Sequence, residues 1–344
     1  MKAYREEVFG QFEGRDILRY TFENEVGYRV SVMNYGATLL EYATPDRTGK
    51  IANILLAFDK FEDYIGNSPR YGASIGPVAG RIAGASFELG GQTYQLLANN
   101  GRNNLHSDPA GFDATIFDLE EISDEGLTFY TERPSGTAGF PGHLKVWISF
   151  TLTEEGKMEV SYQIQTDQDT LVNPTNHSYF NLSGDFLSAI DDTQVELGIE
   201  GLYPIDESSI PLEELERETD LVKSLQAGTT FGHVFASDHP QVRLVDGIDH
   251  PFALSGQKAA ASFYHEASGR KLTLTTDRPV LVMYTANVCD DKTRLAGQIA
   301  PQHNGFALET QALPDAIHRE NREEVILRAG QEFTSTTTYH ATVS

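Results

Sequence analysis

The chain has 344 residues and a formal net charge of −24. A surface this acidic repels phosphate backbones and anionic lipid, which argues against nucleic-acid and membrane-surface partners. Hydrophobic residues make up 40% of the chain, the composition of a globular protein rather than a disordered one. The single cysteine, Cys289, rules out an intramolecular disulfide and a thiolate zinc site, and reads as a small buried hydrophobe. The start, Met1-Lys2-Ala3-Tyr4-Arg5-Glu6-Glu7, carries no apolar signal region, and no apolar run approaches ~18 residues. A cytoplasmic protein is expected, and the glycosylation patterns at Asn176 and Asn181 carry no weight in that setting.

In chain order, period-2 alternation predicts strands at 17–23 and 28–33. Lys60–Ile65 is a short helical candidate. Ser86–Leu89 and Gln92–Leu96 flank Gly90-Gly91 as a tight hairpin. Leu144, Val146, Ile148, Phe150 and Leu152 alternate with mostly polar neighbours. Glu155-Gly156 breaks that run, and Met158, Val160, Tyr162 and Ile164 resume it: a strand, a turn and a strand. The polar, acidic stretch 205–230 reads as a long surface excursion, with a second helical candidate at Leu212–Leu215. Further strands are predicted at 271–275, 279–286 and 333–340. Without a linker, repeat or low-complexity tract, residues 1–344 are expected to form one domain. The pattern predicts an all-β fold, a large antiparallel β-sandwich with few short helices and a site on a sheet's concave face.

The most informative stretch is Asn173-Pro174-Thr175-Asn176-His177-Ser178-Tyr179-Phe180-Asn181-Leu182. A histidine inside a dense polar and aromatic cluster makes a poor core strand and a good pocket floor. Asn104-Leu105-His106 and Leu308-Glu309-Thr310-Gln311 have the same character. Two histidines and a carboxylate from distant segments can move protons on a small molecule. Arg81 sits in a Gly-rich turn where a ligand can come close, or it is a structural arginine binding loop carbonyls. In Gly247-Ile248-Asp249-His250-Pro251-Phe252, Asp249 can accept two sugar hydroxyls, or merely form a turn before proline.

Other motifs are weaker. Gly72-Ala73-Ser74-Ile75-Gly76 matches a nucleophile elbow, but Pro77 follows at once and no βαβ rhythm surrounds it. His106, His177 and Glu309 could make a two-histidine, one-carboxylate metal set, although no spacing demands it. With 50 acidic residues, pairing carboxylates by sequence carries no information. His143, His233, His239, His265, His318 and His340 have no supporting neighbourhood, while His303 either lines the pocket or caps a turn.

Taken together, these segments resemble the aldose 1-epimerase (galactose mutarotase) family, in order and over nearly the whole chain. The resemblance runs from Asn34-Tyr35-Gly36-Ala37 and Phe58-Asp59 through Gly80-Arg81-Ile82, the Phe87–Tyr94 hairpin, Leu105-His106 and Gly111-Phe112-Asp113. It continues through Asn176–Leu182, Asp249–Phe252, Tyr284-Thr285-Ala286-Asn287 and Gly305–Gln311. It implies a mutarotase-like supersandwich with the sugar in a cleft on one sheet, anomer interconversion of aldoses such as galactose and glucose, and neither cofactor nor metal. By motif position Glu309 matches the general base and His177 the general acid, while Arg81, His106 and Asp249 match sugar-binding residues.

The chain departs from many members at Gly80, where they have Asn, at Ser107-Asp108, where they have Gly-Gly, and at Val282, where they have Gln. Tyr179, Phe180 and Phe306 either stack on the sugar's apolar face or pack in the core. A phosphorylated hexose would need two or more basic side chains, and the site segments supply Arg81 and little else. A reducing disaccharide such as maltose, or a sugar-binding role without catalysis, are the remaining alternatives. The expected assembly is a monomer or homodimer.

Overall fold

The computed structural model describes residues 3–66, 69–256, 259–288 and 292–344, so Cys289 lies outside the described residues. Three large antiparallel sheets dominate. Five strands from Ala3–Phe12 to Ile51–Asn53 pair in sequence order. A nine-stranded sheet carries Leu144–Leu152, Lys157–Thr166, Glu332–Val343 and Arg270–Thr276 at its centre. A second five-stranded sheet pairs Tyr179–Phe180, Phe306–Gln311, Val280–Tyr284, Asp249–Leu254 and Ile199–Leu202 in that order.

Alternation explains how the sheets stack. In Leu144–Leu152 the alternate residues Leu144, Val146, Ile148, Phe150 and Leu152 are buried and the intervening ones, Trp147 included, are more exposed, as one covered face requires. Both five-stranded sheets cover that face. Tyr20 meets Phe129 edge-on with ring centroids 5.6 Å apart, and Phe263 stacks on Phe306 at 4.5 Å. The shared core runs through Phe22, Val30, Ile148, Phe150, Leu272 and Leu308. Phe306–Gln311 is different, because all six of its residues are buried. Phe306 and Leu308 face the core, so Ala307, Glu309 and Gln311 point to the opposite side, where the cleft lies.

The predicted strands are present with small boundary changes, at Arg15–Glu23, Arg29–Met33, Ser86–Leu89 with Gln92–Gln95, Lys157–Thr166, Arg270–Thr276, Val280–Tyr284 and Glu332–Val343. Lys60–Ile65 contains only a 3₁₀ turn at Phe61–Tyr64. Leu212–Leu215 is not helical. Leu212 N–H donates to Pro204 O, and Glu216 exchanges both backbone bonds with Leu202, so β-type pairing claims this backbone.

The stretch 205–230 is also not wholly a surface excursion. Asp220–Ala227 is an α-helix that buries Leu221, Val222 and Leu225, with Thr219 Oγ1 accepting from Val222 N–H as its N-cap. Two shorter helices, Phe231–Phe235 and Pro240–Val245, follow it. Among the described residues no helix is long and apolar enough to cross a membrane.

Candidate active site

A cleft of about 800 Å³ opens on the outer face of the Phe306–Gln311 sheet. Arg81, His106, His177, Asp249 and Glu309 all line it, although they come from five separate segments. Two strands supply the carboxylates. Glu309 pairs in register with Val282, and Asp249 with Tyr284, so all four side chains face the cleft from adjacent strands.

His177 sits in the tight connection between Thr175–Asn176 and Tyr179–Phe180. Its backbone is bonded at both ends, N–H to Ala73 O at 2.8 Å and C=O from Gly72 N–H at 3.1 Å. Gly72 has φ +70°, and a Cβ there would lie 1.8 Å from Leu39 O, so no other residue fits. The elbow-like motif that begins at Gly72 is therefore a packing device. Ser74 is fully buried, with its hydroxyl donating to Ala37 O, and is not a nucleophile.

His106 is held by Gly80. Its N–H donates to Gly80 O at 3.0 Å, and its Nδ1 accepts from Gly80 N–H at 3.2 Å. A nitrogen that accepts is unprotonated, so the ring proton sits on Nε2 and His106 offers the cleft a donor. His106 and Ser107 both have positive φ, near +60°, the region that favours glycine. The Ser107 hydroxyl bonds both the C=O and the N–H of Val78, at 2.9 Å each, which offsets that strain. Gly80→Ala is expected to weaken sugar binding through His106. Gly80 has φ +73°, and an added Cβ would meet Pro314 at 2.9 Å. The loss should be about 1–2 kcal/mol of stability, with KM rising more than kcat falls. Unchanged KM by polarimetry would count against the tether.

Glu309 Oε1 lies 3.3 Å from His177 Nε2 at the buried floor. Glu309 Oε2 and His177 Nδ1 have no partner among the described residues. Burial and, to a lesser degree, the Asp249 carboxylate push the Glu309 carboxyl up to about 8, against the opposing charges of Arg81 and Arg70. Burial and the Arg70 charge push His177 down to about 3. At neutral pH the pair holds one proton, and it rests on Glu309. Burial likewise raises Asp249, opposed by Arg81, and lowers His106. Arg81 donates through Nε to Asn100 Oδ1 at 3.0 Å rather than to loop carbonyls.

His106, His177 and Glu309 place one donor atom each within 4.8 Å of one another, as a metal would need. Their outer partners do not fit one. A ligating histidine donates its second ring N–H to an acceptor. His106 Nδ1 instead accepts from Gly80 N–H, and His177 Nδ1 has no acceptor among the described residues. The set suits proton transfer and hydrogen bonding, not metal ligation.

Sequence reasoning named Tyr179 as a stacking candidate but missed Arg70 and the other two members of the aromatic wall, Tyr71 and Tyr284. Arg70 lines the cleft at φ +59° and forms an ion pair with the partly buried Asp113 carboxylate. Tyr71 and Tyr179 meet edge-on at 5.0 Å, and Tyr179 meets Tyr284 at 5.9 Å. Tyr179 thus lines the cleft, whereas Phe180 and Phe306 are fully buried in the core and cannot stack on a ligand. His303 is not among the lining residues. It bonds Asp246 O through Nε2 and stacks on Phe235 at 3.9 Å. Gly80 and Val282, two of the departures from the family pattern, both line the cleft.

This geometry can be set beside known proteins. The family described as aldose 1-epimerase matches residues 18–340. The galactose mutarotase of Bos taurus is 37% identical over 320 residues, covering 92% of each chain. The aldose 1-epimerase of Escherichia coli K12 is 30% identical over 333 residues, covering 95% of this chain and 96% of its own. The crystal structure of galactose 1-epimerase from Lactobacillus acidophilus NCFM superposes with a TM-score of 0.88 at 26% identity, covering 99% of both chains. With a match spanning almost the whole fold and all five motif-matched site residues gathered in one cleft, the chain belongs to the aldose 1-epimerase family of isomerases.

Proposed function

We propose that the protein interconverts the α and β anomers of free aldoses such as galactose and glucose, with Glu309 and His177 moving the two protons. The observation that carries this reading is their 3.3 Å contact at the buried floor of the cleft. In ring opening the O1–H bond breaks as the C1 carbonyl forms, the C1–O5 bond breaks, and O5 gains a proton. Rotation about C1–C2 and reclosure on the other face reverse these steps. Glu309 takes the O1 proton and His177 gives one to O5, each contributing about 10²–10⁴-fold. His106, through its Nε2–H, Arg81 and Asp249 hold the hydroxyls, and the tyrosine wall covers an apolar sugar face.

The proton count of the pair sets the pH dependence. Base and acid together need one proton, which rests on Glu309 before sugar binds and passes to His177 for the reaction. The one-proton pair exists between the two values of about 3 and about 8. kcat/KM is therefore expected to stay level across neutral pH and to fall above about 8, as the pair loses its last proton. Polarimetry tests both points: freshly dissolved α-D-glucose and α-D-galactose are followed to anomeric equilibrium in a weakly catalysing buffer from pH 6 to 10. No acceleration with either sugar would overturn the function. A rate still climbing above pH 9 would overturn the proton assignment.

Arg70 gives a phosphorylated hexose a second cation beside Arg81, more than its sequence segments supply. Its charge is committed to Asp113, and Asp249 and Glu309 face the same space. Free sugar is therefore expected to react well ahead of glucose 6-phosphate in the same assay.

A further inference from the structure

The wall of the cleft over residues 203–211 is joined to the Asp249 strand by backbone at its root, where Tyr203 N–H meets Pro251 O, and through one side chain at its middle. Gln241 lies on the short helix Pro240–Val245. Its Oε1 accepts from Ile205 N–H at 2.8 Å, and its Nε2 donates to Ile205 O at 3.2 Å. This two-point contact is what a neighbouring strand would make. The same Oε1 takes a third bond, 3.0 Å from His250 Nε2. The tautomer of His250 follows from its other nitrogen, because Nδ1 accepts from the Asp249 backbone N–H at 3.1 Å. The ring proton is therefore on Nε2, and His250 Nε2–H donates to Gln241. His250 is 1% exposed, and burial pushes it down to about 3, so the ring stays neutral at any working pH.

Ile205 and Asp249 line the cleft, while Gln241 and His250 do not. We propose that Gln241 and His250 form a positioning clamp that sets the cleft wall at Ile205 and the Asp249 backbone relative to one another, and so tunes sugar affinity. Leu212 N–H to Pro204 O and Asp206 N–H to Ile210 O flank Ile205 on either side, but they tie the loop only to itself; its ties to the rest of the fold lie away from Ile205. Tyr203 N–H donates to Pro251 O at the loop's root, and Arg319 donates to the Pro211 and Leu212 carbonyls at its far end. Nothing else bonds the Ile205 amide, so Gln241 alone fixes the middle of the wall among the described residues. Glu309 and His177 stand on other elements, so the clamp acts on binding and leaves the proton transfers alone.

The inference rests on reading Asp249 as a sugar-binding residue, and its test separates the two. kcat and KM for α-D-galactose and α-D-glucose would be measured by polarimetry for wild type, Q241L, Q241E, D249N and the double variant Q241L/D249N. Q241L is expected to raise KM about ten-fold with kcat within about three-fold. Q241E keeps the two acceptor bonds but loses the donation to Ile205 O, and should raise KM about three-fold. It supplies the same comparison if Q241L does not fold. Because the clamp works through Asp249, Q241L should cost little more once Asp249 is changed, so the two losses in kcat/KM should not add. A lower melting temperature with unchanged KM, or fully additive losses, would overturn the clamp. D249N with wild-type kcat/KM would overturn the sugar-binding role of Asp249, and the clamp with it.

Discussion

Glu309→Gln should lower kcat about 10³–10⁴-fold while making the folded protein more stable at alkaline pH. The first half follows from removing the carboxylate that touches His177 in the cleft. The second follows from linkage. Burial and Asp249 raise the folded-state value of Glu309 from 4.5 to about 8. The native state therefore holds this proton more tightly than the unfolded chain does. Stability is intact below about 4.5 and is lost as pH rises through about 8. Integrated over the full shift, the loss approaches about 4–5 kcal/mol at pH 8 and above, an upper figure that local relaxation reduces. The amide introduced by Glu309→Gln would carry no titrating proton and would match protonated glutamate in shape. The variant should equal wild type at pH 4 and exceed it by about 1–3 kcal/mol at pH 8. Urea unfolding at the two pH values, with polarimetry beside it, checks both halves. Near-normal turnover would remove Glu309 from the chemistry, and equal stability at both pH values would show that its ionised form is not penalised.

How much of this was legible depends on which faces each segment buries. Leu144–Leu152 and Lys157–Thr166 were readable because one face of each is buried and the other is not. Phe306–Gln311 has no such rhythm, since core and cleft bury both of its faces. There the motif carried the reading, not the period. Tyr179 and Phe180 show the limit of motif reading: adjacent residues in a two-residue strand face opposite ways, and only the pairing of Tyr179 with Ala307 and Phe180 with Phe306 decides which reaches the cleft. The region 205–245 failed for another reason. Its helices have eight, five and six residues, too short for helical periodicity to show, and its fold depends on caps and on contacts such as Gln241 with Ile205. Arg70 gave no signal, because its place depends on Asp113, 43 residues away, and on a left-handed backbone.

Arg270→Ala should be among the most damaging single changes outside the cleft, with a loss of about 3–5 kcal/mol. Arg270 is 1% exposed and makes five hydrogen bonds. Nε and Nη2 reach the Thr44 hydroxyl and the Thr44 and Lys50 carbonyls, at the end of the first sheet. Nη1 reaches the carbonyls of Leu182, the last residue of the motif that carries His177 and Tyr179, and of Ser183, the next residue. The arginine itself belongs to the nine-stranded sheet, so one planar group joins that sheet, the first sheet and the active-site segment. Truncation removes five donated bonds and opens a cavity; Leu182 O keeps the Ser268 hydroxyl and Lys50 O keeps the Asp46 N–H, so the cost falls on the remaining acceptors and on the lost cross-link. Against a typical total of about 5–15 kcal/mol, that is enough to unfold much of the protein at moderate temperature. Arg270→Lys should recover less than half of the loss, because an ammonium has three donors and no fork geometry. Urea unfolding of both variants measures this, and a loss under about 1 kcal/mol for Arg270→Ala would disprove the role. Catalysis gives the complementary reading. Because Arg270 does not line the cleft, kcat per folded molecule should persist at low temperature, even where the folded fraction falls.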